Sequence, residues 1–190
     1  MANINVVTVL PAKMANELSK KRKLQDYNTM PNISEAILDA VREYMTDNVG
    51  YANLPIACLN ANSVVDGGEE IFHYIPANSK DGVLFVIQMP EDMIISVPYQ
   101  TLLEASEDAK GCEEDVDSLE FIKEEFKDQL SVGPGEFEED MERIEFIPFL
   151  DYSKCKGYAV FDENFNSHKQ EFNLAGVEKC TLARLEAFIN

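Results

Sequence analysis

The chain has 190 residues, and its 35 Asp and Glu against 16 Lys and Arg leave a formal net charge of −19. That length suits one domain with its own core and needs no disulfide or metal staple. The charge argues against direct binding to phosphate backbones or anionic membranes and leaves basic proteins and cations as complementary partners.

In chain order, "INVVTVL" (4–10) is rich in β-branched residues and reads as a first strand. "PAKMANELSKKRKLQDYN" follows, with Met14 and Leu18 four apart, as a helix with a basic outer side. "PNISEAILDAVREYMTDNVG" is the clearest helix: Ile33, Ala36, Ile37, Ala40, Val41, Tyr44 and Met45 recur at helical spacing. Asn32 is the expected N-cap, with Glu35 completing a capping box, and Asn48 or Gly50 the expected end.

The middle of the chain changes period. "LPIACLNANSVV", "EIFHYIP", "GVLFVIQM" and "DMIISVPY", punctuated by "VDGG", "ANSKDG" and "PED", read as strands of an antiparallel meander. Val83–Met89 is nearly all apolar, which places it at the sheet centre, covered on both faces. "YQTLLEAS" reads as a short helix. Asp117 then caps a helix with Leu119, Ile122, Phe126 and Leu130 on one face, stopped by "SVGPG". "EFEEDMERIEF" reads as a second acidic helix with Phe137, Met141 and Ile144 inward. "FIPFLD" and "GYAVFD" read as strands, "ENFNSHKQ" as a hairpin tip, and the last residues as an amphipathic helix through Leu182, Leu185 and Ile189. The expected fold is a single α+β domain over 1–190, a central antiparallel β-meander with helices packed on it, with a sub-boundary near the 131–135 Gly/Pro turn.

Charge is sorted along this chain. Between Glu104 and Glu145 there are seventeen acids and four bases. General solubility does not predict such regional acidity. In a helix, Glu120, Glu124 and Asp128 form a row with about 6 Å between neighbours. Repulsion along such a row costs a few tenths of a kcal/mol per pair, so folding alone gives no reason for it. In rough scale the row resembles phosphates along a nucleic-acid strand. Lys123 and Lys127 interrupt it and can pair with Glu120 and Glu124, which is the pattern of an ordinary solvated helix face.

Other chemistry finds less support. "EEDVDSLEFIKE" (113–124) and "DENFNSHKQEFN" (162–173) space acids in the manner of calcium loops, but Ser118 and Ser167 stand where the turn requires glycine. Glu70 and His73 have the Glu-x-x-His spacing of di-iron bundles, in a strand and without a second copy. His168 falls in the expected turn. No nucleophile elbow or phosphate-cradling loop is present. Cys58, Cys112, Cys155 and Cys180 form no C-x-x-C pair and read as free thiols of a reducing compartment. Nothing resembles a signal peptide or a bilayer-spanning run, so the expected location is the cytoplasm. Lys20–Lys23, "KKRK", forms an opposite, basic pole that could face the acidic region within the molecule or across a dimer, or act as a nuclear address.

The leading functional expectation is therefore a non-enzymatic binding or inhibitor protein, without cofactor or metal. It would dock on a basic surface, such as that of a nucleic-acid-binding enzyme or nuclease. The docking residues would be Glu113, Glu114, Asp115, Asp117, Glu120, Glu124, Glu125 and Asp128, then Glu136, Glu138, Glu139, Asp140 and Glu142. Phe121 and Phe137 would be apolar anchors. The alternatives are a small hydrolase or transferase using carboxylates and His73 in a cleft, and a structural or assembly protein of viral type.

Overall fold

A computed structural model describes residues 2–61, 82–135, 142–161 and 178–179. The chain builds β1 (Asn3–Pro11), α1 (Ala12–Lys21), β2 (Lys23–Leu24), α2 (Glu35–Val49), β3 (Ile56–Asn60), β4 (Gly82–Pro90), β5 (Ile95–Pro98) and α3 (Tyr99–Gly111). There follow α4 (Val116–Lys127), β6 (Ser131–Val132), β7 (Arg143–Ile147), β8 (Leu150–Asp151), β9 (Cys155–Phe161) and β10 (Glu178–Lys179). This is an α+β fold around one sheet of order β10-β9-β4-β1-β3-β7-β5-β6, beside a two-stranded β2–β8 ribbon. Neighbours in the sheet are antiparallel except β10 and β9.

The antiparallel sheet and its packed helices match expectation, but the meander order does not. The described strands of the middle segment are not neighbours: β3 pairs with β1 and β7, β4 with β1 and β9, and β5 with β6 and β7. β1 and β4 share nine consecutive register pairs, from Asn3–Pro90 to Pro11–Gly82. A long first strand that is apolar on both faces is a better template than the short neighbours in sequence. The expected strand at "EIFHYIP" and the elements after Phe161 lie outside the described residues, apart from β10.

Alternation along the strands decides which side chain faces which layer. Val7, Val9, Ala57, Leu59, Leu84, Val86, Ile95, Val97, Ile144 and Phe146 pack under α2, α3 and α4. Val6, Leu10, Ile56, Cys58, Val83, Phe85, Ile87, Met89 and Ile147 point the other way, toward α1 and the β2–β8 ribbon. A sheet covered on both faces needs apolar residues at odd and even positions alike. The run Val83–Ile87 is accordingly fully buried.

Helix starts differ from the sequence reading for identifiable reasons. α2 begins after Ser34, not Asn32. The Ser34 N–H donates to Ser106 Oγ of α3 at 2.8 Å, and the Asn32 carbonyl accepts from Lys110 Nζ at 2.6 Å, so tertiary partners fix that entry. α4 is capped by Asp115 rather than Asp117: its carboxylate accepts the Ser118 N–H at 3.3 Å and the Ser118 hydroxyl at 2.7 Å. α4 ends at Lys127, before Leu130, which is buried all the same. α3 is longer than expected and runs to Gly111. The expected second acidic helix fails over its last residues, where Arg143–Ile147 is β7, held between β5 and β3 by ladder pairs on both sides; residues 136–141 lie outside the described set.

α2 ends as the sequence suggests, at Gly50 with φ 83°. Nothing crowds its Cα, so only the backbone conformation demands glycine. Gly50→Ala is expected to cost about 1 kcal/mol, read from urea denaturation.

Candidate partner-binding surface

α3 and α4 lie side by side over the sheet face that α2 also covers. α4 turns Phe126 into the core and rests Leu119 and Ile122 against it. The opposite face is left to solvent, and on it stands Phe121, 63% exposed. In a helix, residues three, four and seven positions away share a face. By that spacing Asp117, Glu124, Glu125 and Asp128 surround Phe121, and all four are exposed.

The row Glu120–Glu124–Asp128 is only partly free. Lys123 Nζ lies 3.6 Å from Glu120 and 3.0 Å from Glu43 of α2. Lys127 Nζ lies 2.8 Å from Glu124 and 2.5 Å from the other Glu43 oxygen. Burial disfavours the Lys127 ammonium, but its hydrogen bonds to Glu124 and Glu43 outweigh this and raise its pKa. The Lys127 hydrogen bond in turn lowers the pKa of Glu43. These lysines therefore fasten α4 to α2 on one flank of the helix. Glu43 is too exposed for the pairs to count for much. Glu43→Gln is expected to cost under about 1 kcal/mol at low salt, and less in 0.5 M salt, by denaturant titration.

The other flank has no such partners. Asp117, Glu125 and Asp128 form no ion pair with the described residues. Between α3 and α4 runs an open groove of about 380 Å³, with Glu104 and Asp108 on one wall and Glu125 and Asp128 on the other. The groove joins the two helices' acids across space. Their spacing within one helix could not reveal this; Glu104 and Asp108 lie inside the expected acidic face of about 104–145 but not among the docking residues named from it.

The remaining expected residues are scattered more widely. Glu113 and Glu114 are exposed in the α3–α4 turn. The Asp115 carboxyl is held below the usual range by the Ser118 hydroxyl and N–H that it accepts, so its first duty is the cap. Glu142 is exposed just before β7, where its carbonyl accepts the Tyr99 N–H at 2.8 Å. Glu136, Phe137, Glu138, Glu139 and Asp140 lie outside the described residues, as does His73. Residues 116–124 of the first calcium-like stretch are helix, which removes the loop that such a site requires.

No family model matches this chain, and no curated protein does.

The basic pole sits across the sheet from the acidic helices, packed with α1 and β2 against the other core layer. The expectation that it faces the acidic region within one molecule is thus overturned. Its side chains are occupied locally: Lys21 pairs with Glu17 at 2.7 Å, Arg22 lies 3.7 Å from the Tyr152 ring centroid, and Lys23 lies 3.9 Å from that of Phe149. No described helix is long and apolar enough to cross a membrane.

One acid counted with the acidic region does not belong to its surface. Glu145 is 1% exposed, on β7 between Cys58 of β3 and Ser96 of β5 in register. Its Oε1 accepts the Gly135 N–H at 3.4 Å, and Oε2 has no hydrogen-bond partner among the described residues. Burial pushes its pKa up to about 7, against the opposing pull of the Gly135 N–H, the Ser96 hydroxyl and the Arg143 guanidinium. The Cys58 thiol beside it is also pushed up by burial. The strand alternation of "RIEFI" puts Glu145 on the face of Ile147, and only the strand assignment could have shown that.

Proposed function

We propose that this chain is a non-enzymatic binding or inhibitor protein whose α3–α4 side docks on a basic protein surface of the kind that otherwise holds nucleic acid. The observation that carries this reading is Phe121, 63% exposed, set among Asp117, Glu124, Glu125 and Asp128. An aromatic anchor supplies contact energy, and a surrounding rim of one charge supplies orientation and on-rate. The groove with Glu104, Asp108, Glu125 and Asp128 extends the same field to α3. Among the described carboxylic acids with a shifted pKa, only Glu145 has a raised one, and at 1% exposure it meets no substrate in this conformation.

The experiment is affinity capture of basic, nucleic-acid-binding proteins from the source lysate at 50 and 300 mM salt. The baits are the wild type and a D117N/F121A/E125Q/D128N variant. The reading expects a partner that only the wild type retains, that high salt weakens, and that duplex DNA displaces. If both baits hold the same proteins, or if DNA displaces nothing, the reading fails.

A further inference from the structure

We infer that the segment Ser131–Gly135 is a pH-gated strap, closed on the sheet while Glu145 is neutral and released when Glu145 ionises. This goes beyond the docking role and does not depend on it.

The strap follows α4 directly and crosses the outer edge of the sheet. Its first residues pair with β5, Val132 with Ile95 and Ser131 with Ser96. Gly133, at φ 94°, turns the chain and donates its N–H to the Ile94 carbonyl at 2.8 Å. Gly135 then lands on two side chains of β7. Its N–H reaches Glu145 Oε1, and its bare Cα lies against Arg143, so close that a Cβ there would stand 1.7 Å from Arg143 Nε. That Nε donates to Ser96 Oγ at 2.8 Å. The far end of the strap therefore rests on Glu145 and on an arginine clamped to β5.

The weak point is the carboxyl itself. A neutral acid tolerates the long Gly135 hydrogen bond, the Ser96 hydroxyl beside it and an Oε2 with no hydrogen-bond partner among the described residues. A carboxylate there is a buried charge short of donors, and such a charge is costly until water reaches it. Gly135 is the described group seated on the carboxyl, so hydration requires the strap to move. Among the described residues the groups facing Glu145 are the Cys58 thiol from β3, the Ser96 hydroxyl from β5 and Arg143 from its own strand; Ser131–Gly135 brings no charge. A guanidinium does not give up its proton in proteins, and burial keeps the Cys58 proton in place. Glu145 is the member of this group that titrates near neutrality. An open strap returns it to the ordinary glutamate range. Linkage then makes opening about tenfold more favourable at pH 8 than at pH 6.

Amide exchange at Gly133 and Gly135, corrected for the intrinsic rate, tests this by NMR, with the Glu145 carboxyl carbon followed in the same titration. Protection should fall about tenfold from pH 6 to pH 8. Its midpoint should match the carboxyl titration, and Glu145→Gln should hold the same protection at both pH values. Equal protection in the wild type at both pH values, or the same fall in Glu145→Gln, overturns the inference. If the variant does not fold, the wild-type midpoints decide: strap exchange that ignores the carboxyl titration overturns it equally.

Discussion

Glu145→Gln becomes more stable relative to the wild type as pH rises, and the difference between the two proteins grows by roughly 2–3 kcal/mol from pH 5 to pH 8. The sign follows from proton counting. The folded protein holds the Glu145 proton up to a pKa of about 7, while the unfolded chain releases it near the ordinary value of 4.5. Between these values the folded state binds more protons than the unfolded one, so rising pH favours unfolding. The stabilisation is complete below the unfolded value and is lost as pH passes through the folded one. Glutamine keeps the shape and cannot ionise, so its curve lacks this slope. Four described carboxylates shift the opposite way and act at lower pH: Glu17, Glu43, Asp115 and Asp151 have lowered pKa values. Denaturant titrations of both proteins at fixed ionic strength, at pH 5 and pH 8, read the difference directly. A constant offset between the two proteins would mean that Glu145 is charged in the fold throughout.

Phe85→Ala costs about 3–5 kcal/mol and lowers the melting temperature by roughly 10 °C, because the vacated space lies where nothing can collapse into it. Phe85 is fully buried on β4, opposite Thr8 of β1 and Tyr158 of β9. Its ring centroid lies 6.5 Å from that of Tyr158 at a tilt of 33°, and α1 closes the layer above. The comparison that gives this number meaning is Phe121→Ala. The same deletion at a ring that is 63% exposed should change stability by no more than about 0.5 kcal/mol. Thermal melts of the two variants side by side separate a phenylalanine that holds the fold from one that the fold presents. A large loss at Phe121 would place it in the core and remove the anchor from the proposed docking surface.

The sequence made the elements legible where one period dominates. β1, α2, β4 and β9 follow from β-branched runs and from the Ile33–Met45 face. Strand order was not legible, because a strand apolar on both faces carries no mark of its neighbours. Val83–Met89 could be placed at the centre of a sheet but not beside β1. The cap of α4 was misplaced because Asp115 and Asp117 both suit the role by residue type, and only Ser118 at the third position distinguishes them. The acid-rich stretch before β7 read as helix because five acids among residues 136–142 concealed the "RIEFI" alternation behind them. On the candidate surface, the lysine pairs within α4 were legible from spacing. Glu43 as their common partner and the groove shared with α3 were not, since both depend on how helices meet.

The two core layers also separate the charges of the helices described on either side of them. Residues 99–128, on the α3–α4 side, hold eleven acids and three bases; residues 12–24, on the α1 side, hold five bases and one acid. Opposite charge held at either side of a rigid slab is an electric dipole fixed in the molecular frame. In the field of a polycation it experiences a torque as well as a pull. It would therefore arrive with α3 and α4 already turned forward, so that fewer encounters are wasted on the wrong side.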